Sequence, residues 1–339
     1  MGIFIWDTAP SKIFVWWSEV ASVRAGDTKV RPIKPQLTPL CFTANTSWST
    51  IRLNSNSSPT PVTLETSTDW NSRTTYTIWT TITLNNAWDK IYRRNTSETD
   101  TWFSIDISSY YRFIMTWSIA WSGDVTSLLN KNWTSTLSSW CFTRLFIWCS
   151  ALTTAPELPA TTLAYRCYYQ MFDTCKWLTS SPALPATTLA NECYWGMFRI
   201  CSALKTPPEL PATTLVDYCY RQMFYQCSAL TAAPHMPATA LAYYCYYQMF
   251  YQCTSLATIP ALPATTLAEY CYNAMLNRCT KIKVSATQTW EYQTPYRIPT
   301  TWTWTTANYA LNNMFYGTWW TFKSTPTINT TYYTSNTVV

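Results

Sequence analysis

Leu158-Pro159-Ala160-Thr161-Thr162-Leu163-Ala164-Tyr165-Arg166-Cys167-Tyr168-Tyr169-Gln170-Met171-Phe172-Asp173-Thr174-Cys175 is one copy of a phrase that returns every 26 residues. Cysteine marks the period. Cys141, Cys167, Cys193, Cys219, Cys245 and Cys271 form one column. Cys149, Cys175, Cys201, Cys227, Cys253 and Cys279 form a second, eight residues behind the first. A fixed period in the twenties is the mark of stacked units that share one core.

Within a unit, Leu163, Cys167, Met171 and Cys175 recur every four residues, with Tyr168 and Phe172 beside them. That spacing predicts one apolar face of a short helix. Thr161 or Thr162 is its expected cap, because a hydroxyl accepts an orphan helix N–H. Leu178 to Ser181 predicts a short strand, stopped by Pro182, and Leu184-Pro185 turns the chain to the next helix. The expected unit is strand, turn, helix, with parallel strands stacked along one face and with Met and aromatic columns as core ladders.

On such a helix Cys167 and Cys175 lie about 12 Å apart, beyond the ~7 Å that a disulfide spans. The cysteines therefore read as columns of small buried hydrophobes. Bridges between adjacent turns are the second option, and the redox compartment stays open.

Outward from the repeats the pattern changes. At Ser122-Gly123-Asp124, Asp124 is the expected N-cap, and Leu128 and Leu129 open the helical pattern, so residues 119–139 read as the opening of the repeat block. Residues 40–118 alternate apolar and polar. Expected strands are Leu40–Ala44, Thr50–Leu53, Pro61–Thr66, Thr74–Ile78, Thr80–Leu84, Lys90–Arg94 and Tyr111–Thr116. Short strands at this spacing argue for a β-sandwich. Glu65, Asp69, Asp89, Glu98, Asp100 and Asp106 fall among the turns without metal-ligand spacing. Residues 1–34 hold three ten-residue β units and read as a meander or attachment arm, followed by a linker at Pro32, Pro35 and Pro39. Residues 281–339 leave the period and read as a degenerate repeat and cap. The expected class is α+β: a β-meander (1–34), a β-sandwich (40–118), a solenoid of strand–turn–helix repeats (119–280) and a C-terminal cap (281–339).

One anomaly crosses all of these segments. The chain holds 5 Gly and 20 Trp, where Gly averages about 7% of a typical chain. In the N-terminal units Trp6 and Trp16 align with Gly26. Asp69-Trp70-Asn71 and Ala87-Trp88-Asp89 occupy turns that call for Asp-Gly or Gly-Asp. Thr301-Trp302-Thr303-Trp304-Thr305 and Gly317-Thr318-Trp319-Trp320-Thr321 read like Gly-Thr loops. The pattern is that of UGA codons read as glycine but written as Trp. The other reading is a Trp-rich binding surface.

The phrase Cys-Tyr-x-x-Met-Phe-x-x-Cys-x-x-Leu, closing on Pro-x-Leu-Pro-Ala-Thr-Thr-Leu-Ala, resembles the BspA-type leucine-rich repeats of bacterial surface proteins. The likeness covers roughly 124–280, with a degenerate copy near Ala310-Leu311-Asn312-Asn313-Met314-Phe315. Gly is common in that family before the second Cys. Trp148 stands there, and Gly317 holds the equivalent place before Thr318. The resemblance implies a curved solenoid used for adhesion or partner binding. The N-terminal units, as at Lys12-Ile13-Phe14-Val15 and Ser22-Val23-Arg24, are similar to the openings of some phage tail and receptor-binding proteins.

Composition narrows the function. The net charge of +6 is scattered with no Lys/Arg cluster, which gives nucleic-acid binding little support. Charged residues are 12%, a hydroxyl-rich surface of the kind common outside the cell. No run approaches the 18 apolar residues of a membrane span, and Met1 to Asp7 does not read as a secretory leader. His235 is the sole histidine, in a repeat slot otherwise held by Glu157, Ala183, Glu209 and Ala261. No Cys/His nucleophile pair, His-based metal site or phosphate loop can be assembled, so no enzyme and no cofactor is expected.

The expected function is extracellular adhesion, with a protein or glycan of a host or neighbouring cell as partner. The expected contacts are the variable positions Tyr165, Arg166, Asn191, Glu192, Asp217, Tyr218, Tyr243, Tyr244, Glu269 and Tyr270, read as exposed helix residues. Plain solvated surface is their alternative. A virion protein, docking through 1–34 and touching the host through the repeats, is the second hypothesis, favoured by the lack of an export signal. A glycan-binding module in 40–118 is the third.

Overall fold

A computed structural model describes residues 23–25, 28–30, 40–57, 62, 64–69, 72–97, 103–129, 137–299, 309–320, 325–328 and 330–339. The chain divides into two compact units, Met1–Leu37 and Thr38–Val339. In the first, β1 (Val23–Ala25) and β2 (Thr28–Val30) pair antiparallel. The other two N-terminal units, with Trp6 and Trp16, lie outside the described residues, as do Gly26, Trp70, Trp302 and Trp304.

The second unit opens with β3 (Leu40–Ala44), β4 (Ser49–Asn56), β5 (Leu64–Ser67), β6 (Thr74–Tyr76), β7 (Ile82–Leu84), β8 (Lys90–Asn95), β9 (Tyr110–Thr116) and β10 (Ile119–Ser122). All seven strands expected over 40–118 form, β3 with the expected ends and the other six with theirs shifted. Alternation decides which side each residue faces: in β8, Ile91, Arg93 and Asn95 are buried, while Lys90 is exposed and Tyr92 and Arg94 are half-buried. One sheet runs β10-β3-β8-β5-β6, and a smaller one runs β7-β4-β9. Phe42 of β3 meets Phe113 of β9 edge to face at 5.2 Å, so the two sheets share one apolar core. The Arg93 guanidinium lies in that core, 3.7 Å from the centre of the Tyr76 ring, and burial pushes its pKa down to about 10.

Asp124 caps as expected: its carboxylate accepts from the Thr126 N–H at 2.7 Å. What it caps is a single 3-10 turn, Val125–Leu128, rather than an α-helix. The short strand β11 (Leu152–Thr154) pairs parallel with β10, so the larger sheet continues into the first repeat.

The repeats correct the expected class. Among the described residues there is no α-helix, and the fold is built of strands and turns, not of an α+β solenoid. The segment from Leu163 to Cys175 is a run of tight turns. Cys167, Tyr169, Met171, Asp173 and Cys175 each donate an N–H to the carbonyl three residues back. An α-helix would reach four back. The intervening residues donate outward: Arg166, Gln170 and Thr174 to Asn191, Trp195 and Arg199 of the next repeat, and Tyr168 and Phe172 to Cys193 and Met197. Donors thus alternate between the residue's own repeat and its neighbour. Arg166, Gln170 and Thr174 sit at φ 54°, 50° and 64°, and the same three slots are left-handed in every copy. Each is the third residue of a four-residue turn, the position that φ > 0 defines in type II turns. The four-residue period is therefore a turn period, and the apolar residues it aligns face inward all the same.

The expected strand per repeat is also reduced. Beyond β11 it persists as the single parallel bridge Ser180↔Thr206 and as β12 (Thr258–Ile259), while the bridges Thr162↔Thr188 and Thr214↔Ala240 fall at the position expected to cap a helix. One backbone bond per repeat, such as Lys205 N–H to Thr179 O at 3.2 Å, links the positions between.

Inside the stack, like residues lie over like. Tyr168, Tyr194, Tyr220, Tyr246 and Tyr272 stack face to face with centroids 5.6 to 5.8 Å apart. Phe146, Phe172, Phe198, Phe224 and Phe250 stack at 5.3 to 5.8 Å. All 13 cysteines are free and buried, which agrees with the hydrophobic columns, although the helical distance argument behind them does not hold. In the second column each thiol from Cys175 onward donates to a phenylalanine carbonyl of the preceding repeat, as in Cys201 to Phe172 O at 3.1 Å and Cys227 to Phe198 O at 3.0 Å, while Cys149 donates to Phe113 O of β9 at 2.9 Å.

The turn run recurs at 309–318, where Tyr272, Ala274, Leu276 and Arg278 donate to Ala310, Asn312, Met314 and Tyr316. Beyond it, β13 (Lys283–Ser285), β14 (Thr294–Arg297), β15 (Trp319–Trp320) and β16 (Thr331–Thr334) form a sheet in the order β14-β16-β13-β15, and β17 (Thr337–Val338) pairs parallel with β12.

Candidate functional site

The left-handed residue that opens each turn run builds one side of the stack. Reversal of φ there turns the side chain away from the core, and the 26-residue register sets each one over its counterpart. The slots hold Trp140, Arg166, Glu192, Tyr218, Tyr244, Tyr270 and Tyr309. The residue just before each slot, from Tyr165 to Glu269, flanks this column.

The ten expected contact residues therefore come together, although on turns and not on helices, and mostly half-buried rather than solvated. Two neighbourhoods result. In the first, the Arg166 guanidinium grips Glu192 through Nε at 2.6 Å and Nη2 at 2.8 Å, and the Tyr165 hydroxyl donates to Glu192 Oε1 at 3.2 Å. The planar fork matches a carboxylate in this geometry. In the second, Tyr218 stacks on Tyr244 at 5.3 Å, Tyr244 on Tyr270 at 4.3 Å and Tyr270 on Tyr309 at 5.1 Å. Tyr243 meets Tyr244 edge to face at 4.5 Å, and its N–H donates to Asp217 Oδ1 at 3.1 Å. Asn191 and Glu269 enter through their carbonyls, which accept from Arg166 and Tyr244.

Sequence reasoning missed a second column, two residues past the first cysteine: Tyr169, Trp195, Arg221 and Tyr247. Arg221 lies 5.6 Å from the Tyr218 ring centre, 5.2 Å from Tyr244 and 4.8 Å from Tyr247. Its charge ties both columns together by cation–π attraction. Alignment of the copies at 26 residues would have found this position, since it varies as much as the first. A third column is amide-lined: Arg144 Nε donates to Gln170 Oε1 at 2.9 Å, and Gln222 Nε2 to Gln248 Oε1 at 2.7 Å.

Crowding leaves a mark on the phenols. The Tyr244 and Tyr218 hydroxyls are held above the ordinary tyrosine range by burial first and by neighbouring tyrosines second. The acidic and basic side chains of the strip are Arg166, Glu192, Arg221, Asp217 and Glu269. The strip offers ring faces, phenol hydroxyls and a fixed cation.

Compared with known protein families, curated proteins and solved structures, the chain matches none.

His235 is exposed on its loop. Among the described residues no group of three or more His, Cys, Asp or Glu is placed to hold a metal ion. Among them, too, no helix is long and apolar enough to cross a membrane.

Proposed function

We propose that the chain is a non-enzymatic extracellular binding protein, an adhesin of the BspA kind, that docks a protein or glycan surface along the tyrosine column. The supporting observation is the unbroken series Tyr218, Tyr244, Tyr270 and Tyr309 on one side of the stack, flanked by Arg221. Tyrosine presents a large, rigid area that loses little conformational entropy on binding, and its hydroxyl satisfies polar partners. The rungs are fixed by backbone bonds between repeats, so the surface is preorganised, which lowers the ordering cost of association.

The test is binding of the full chain to a glycan array and to cells of candidate hosts, beside a variant with Tyr218→Ser, Tyr244→Ser and Tyr270→Ser. Binding should fall at least tenfold in the variant while its circular dichroism stays that of the parent. Equal binding by a folded variant refutes the reading.

A virion role is the second reading. It draws on the separate clustering of Met1–Leu37 and on the resemblance of that segment to tail-protein openings. Tail-assembly genes beside this one support it; an isolated family of paralogues supports the adhesin.

A further inference from the structure

The connections between the two β-sheets carry information that the binding strip does not use. Four of them pass through a tryptophan in the left-handed region: Trp48 between β3 and β4 (φ 63°), Trp79 between β6 and β7 (φ 76°), Trp88 between β7 and β8 (φ 73°) and Trp117 between β9 and β10 (φ 59°). Among the described residues up to Leu129, Ser57 is the only other non-glycine with positive φ. A left-handed backbone is uncommon for any residue with a Cβ and an outlier for a bulky one.

Two of the four lie in a slot with a defined preference. Thr80 N–H bonds to Thr77 O at 3.1 Å, and Asp89 N–H to Asn86 O at 3.3 Å. Trp79 and Trp88 are thus the third residues of their turns, where φ > 0 selects glycine or asparagine. None of the four indoles compensates by burial: they are exposed by 66%, 54%, 74% and 63% in chain order.

We propose that Trp48, Trp79, Trp88 and Trp117 are glycine in the protein as its source makes it, because their codons are UGA and that source decodes UGA as glycine. The backbone conformation then needs no strained residue, and the exposed indoles vanish from the surface. The tyrosine series Tyr218, Tyr244, Tyr270 and Tyr309 is untouched, since none of the four tryptophans belongs to it.

Two measurements test this. The gene should carry UGA at all four codons, and peptide masses of the protein from its source should show glycine there; UGG at any of them, or a tryptophan mass, overturns the proposal. Separately, the full chain carrying W48G, W79G, W88G and W117G should melt above the chain as written, by roughly 5 °C or more, because four left-handed positions lose their strain together. An unchanged or lower melting temperature in the glycine chain overturns it as well.

Discussion

Arg199 pairs with Asp173 of the preceding repeat at 3.0 Å, and Asp173 is almost wholly shielded from solvent. The carboxylate also accepts from Thr174 Oγ1 at 2.8 Å. Replacement of Arg199 by Leu leaves that charge uncompensated. The expected loss is about 3 kcal/mol, the lower end for a broken buried pair, because Arg199 itself is partly solvated. Urea denaturation checks it, and Asp173→Asn in the Arg199→Leu background should restore most of the loss.

The same carboxyl gives a signed pH dependence. Burial, opposed by Arg199, raises the Asp173 pKa above its ordinary value. The folded state then holds that proton more tightly than the unfolded state. This contribution to stability is fully present below the usual carboxylate range and is lost as pH rises through the folded pKa. Asp173→Asn should remove this fall, so the variant's denaturation midpoint should decline less than the parent's as pH rises from about 4 through the folded pKa.

The thiol columns predict an alkaline counterpart. Burial pushes the Cys193, Cys271 and Cys279 thiols up to about 12, against about 8.5 for an exposed thiol. Stability from these groups should be intact below pH ~8.5 and fall as pH climbs toward 12. Iodoacetamide at pH 8 should leave every cysteine unmodified in the native chain and modify all of them in denaturant. Rapid native labelling of the repeat cysteines would contradict their burial.

Tyr220→Phe tests the ladder from within. Its hydroxyl is buried with no hydrogen-bond partner, while its ring stacks on Tyr194 and Tyr246. Removal of an unsatisfied hydroxyl while the stack is kept should leave stability unchanged or raise it by about 1 kcal/mol. Tyr220→Ala should cost roughly 3–5 kcal/mol. Thermal melts of the two variants decide.

The alternation of donors predicts a parity rule. One residue inserted after Gln222 would exchange inward and outward donors over the rest of that turn run. Loss of cooperative unfolding is expected. One residue inserted between Pro207 and Pro208, on the loop side, should shift the melting temperature by only a few degrees.

The 26-residue period, the inward positions and the variable column were readable from residues alone, because shared burial leaves its mark on each copy. Leu163, Cys167, Met171 and Cys175 face the core as expected. The backbone that carries them was not readable. Left-handed turns announce themselves through Gly or Asn, yet the slots at 166, 170 and 174 hold Arg, Gln and Thr. Interactions between repeats hold φ positive there, and a single copy does not display them. A spacing of four then resembles a helix. In the β region local alternation sufficed, and every expected strand between Leu40 and Thr116 formed. The variable positions were legible as a set, but their tyrosine stacking arises from contacts 26 positions apart that no local pattern encodes.

The last ladder, from Tyr272 to Ala310, spans a longer stretch of chain than its predecessors and still keeps its pairing. The turn run is thus rigid in length while the return loop is free. Growth of such a molecule is quantised on one side and continuous on the other. Unequal recombination between near-identical copies can add or remove whole rungs without disturbing those that remain. The length of the tyrosine strip can therefore change in single genetic events, while drift in the loops adjusts what surrounds it.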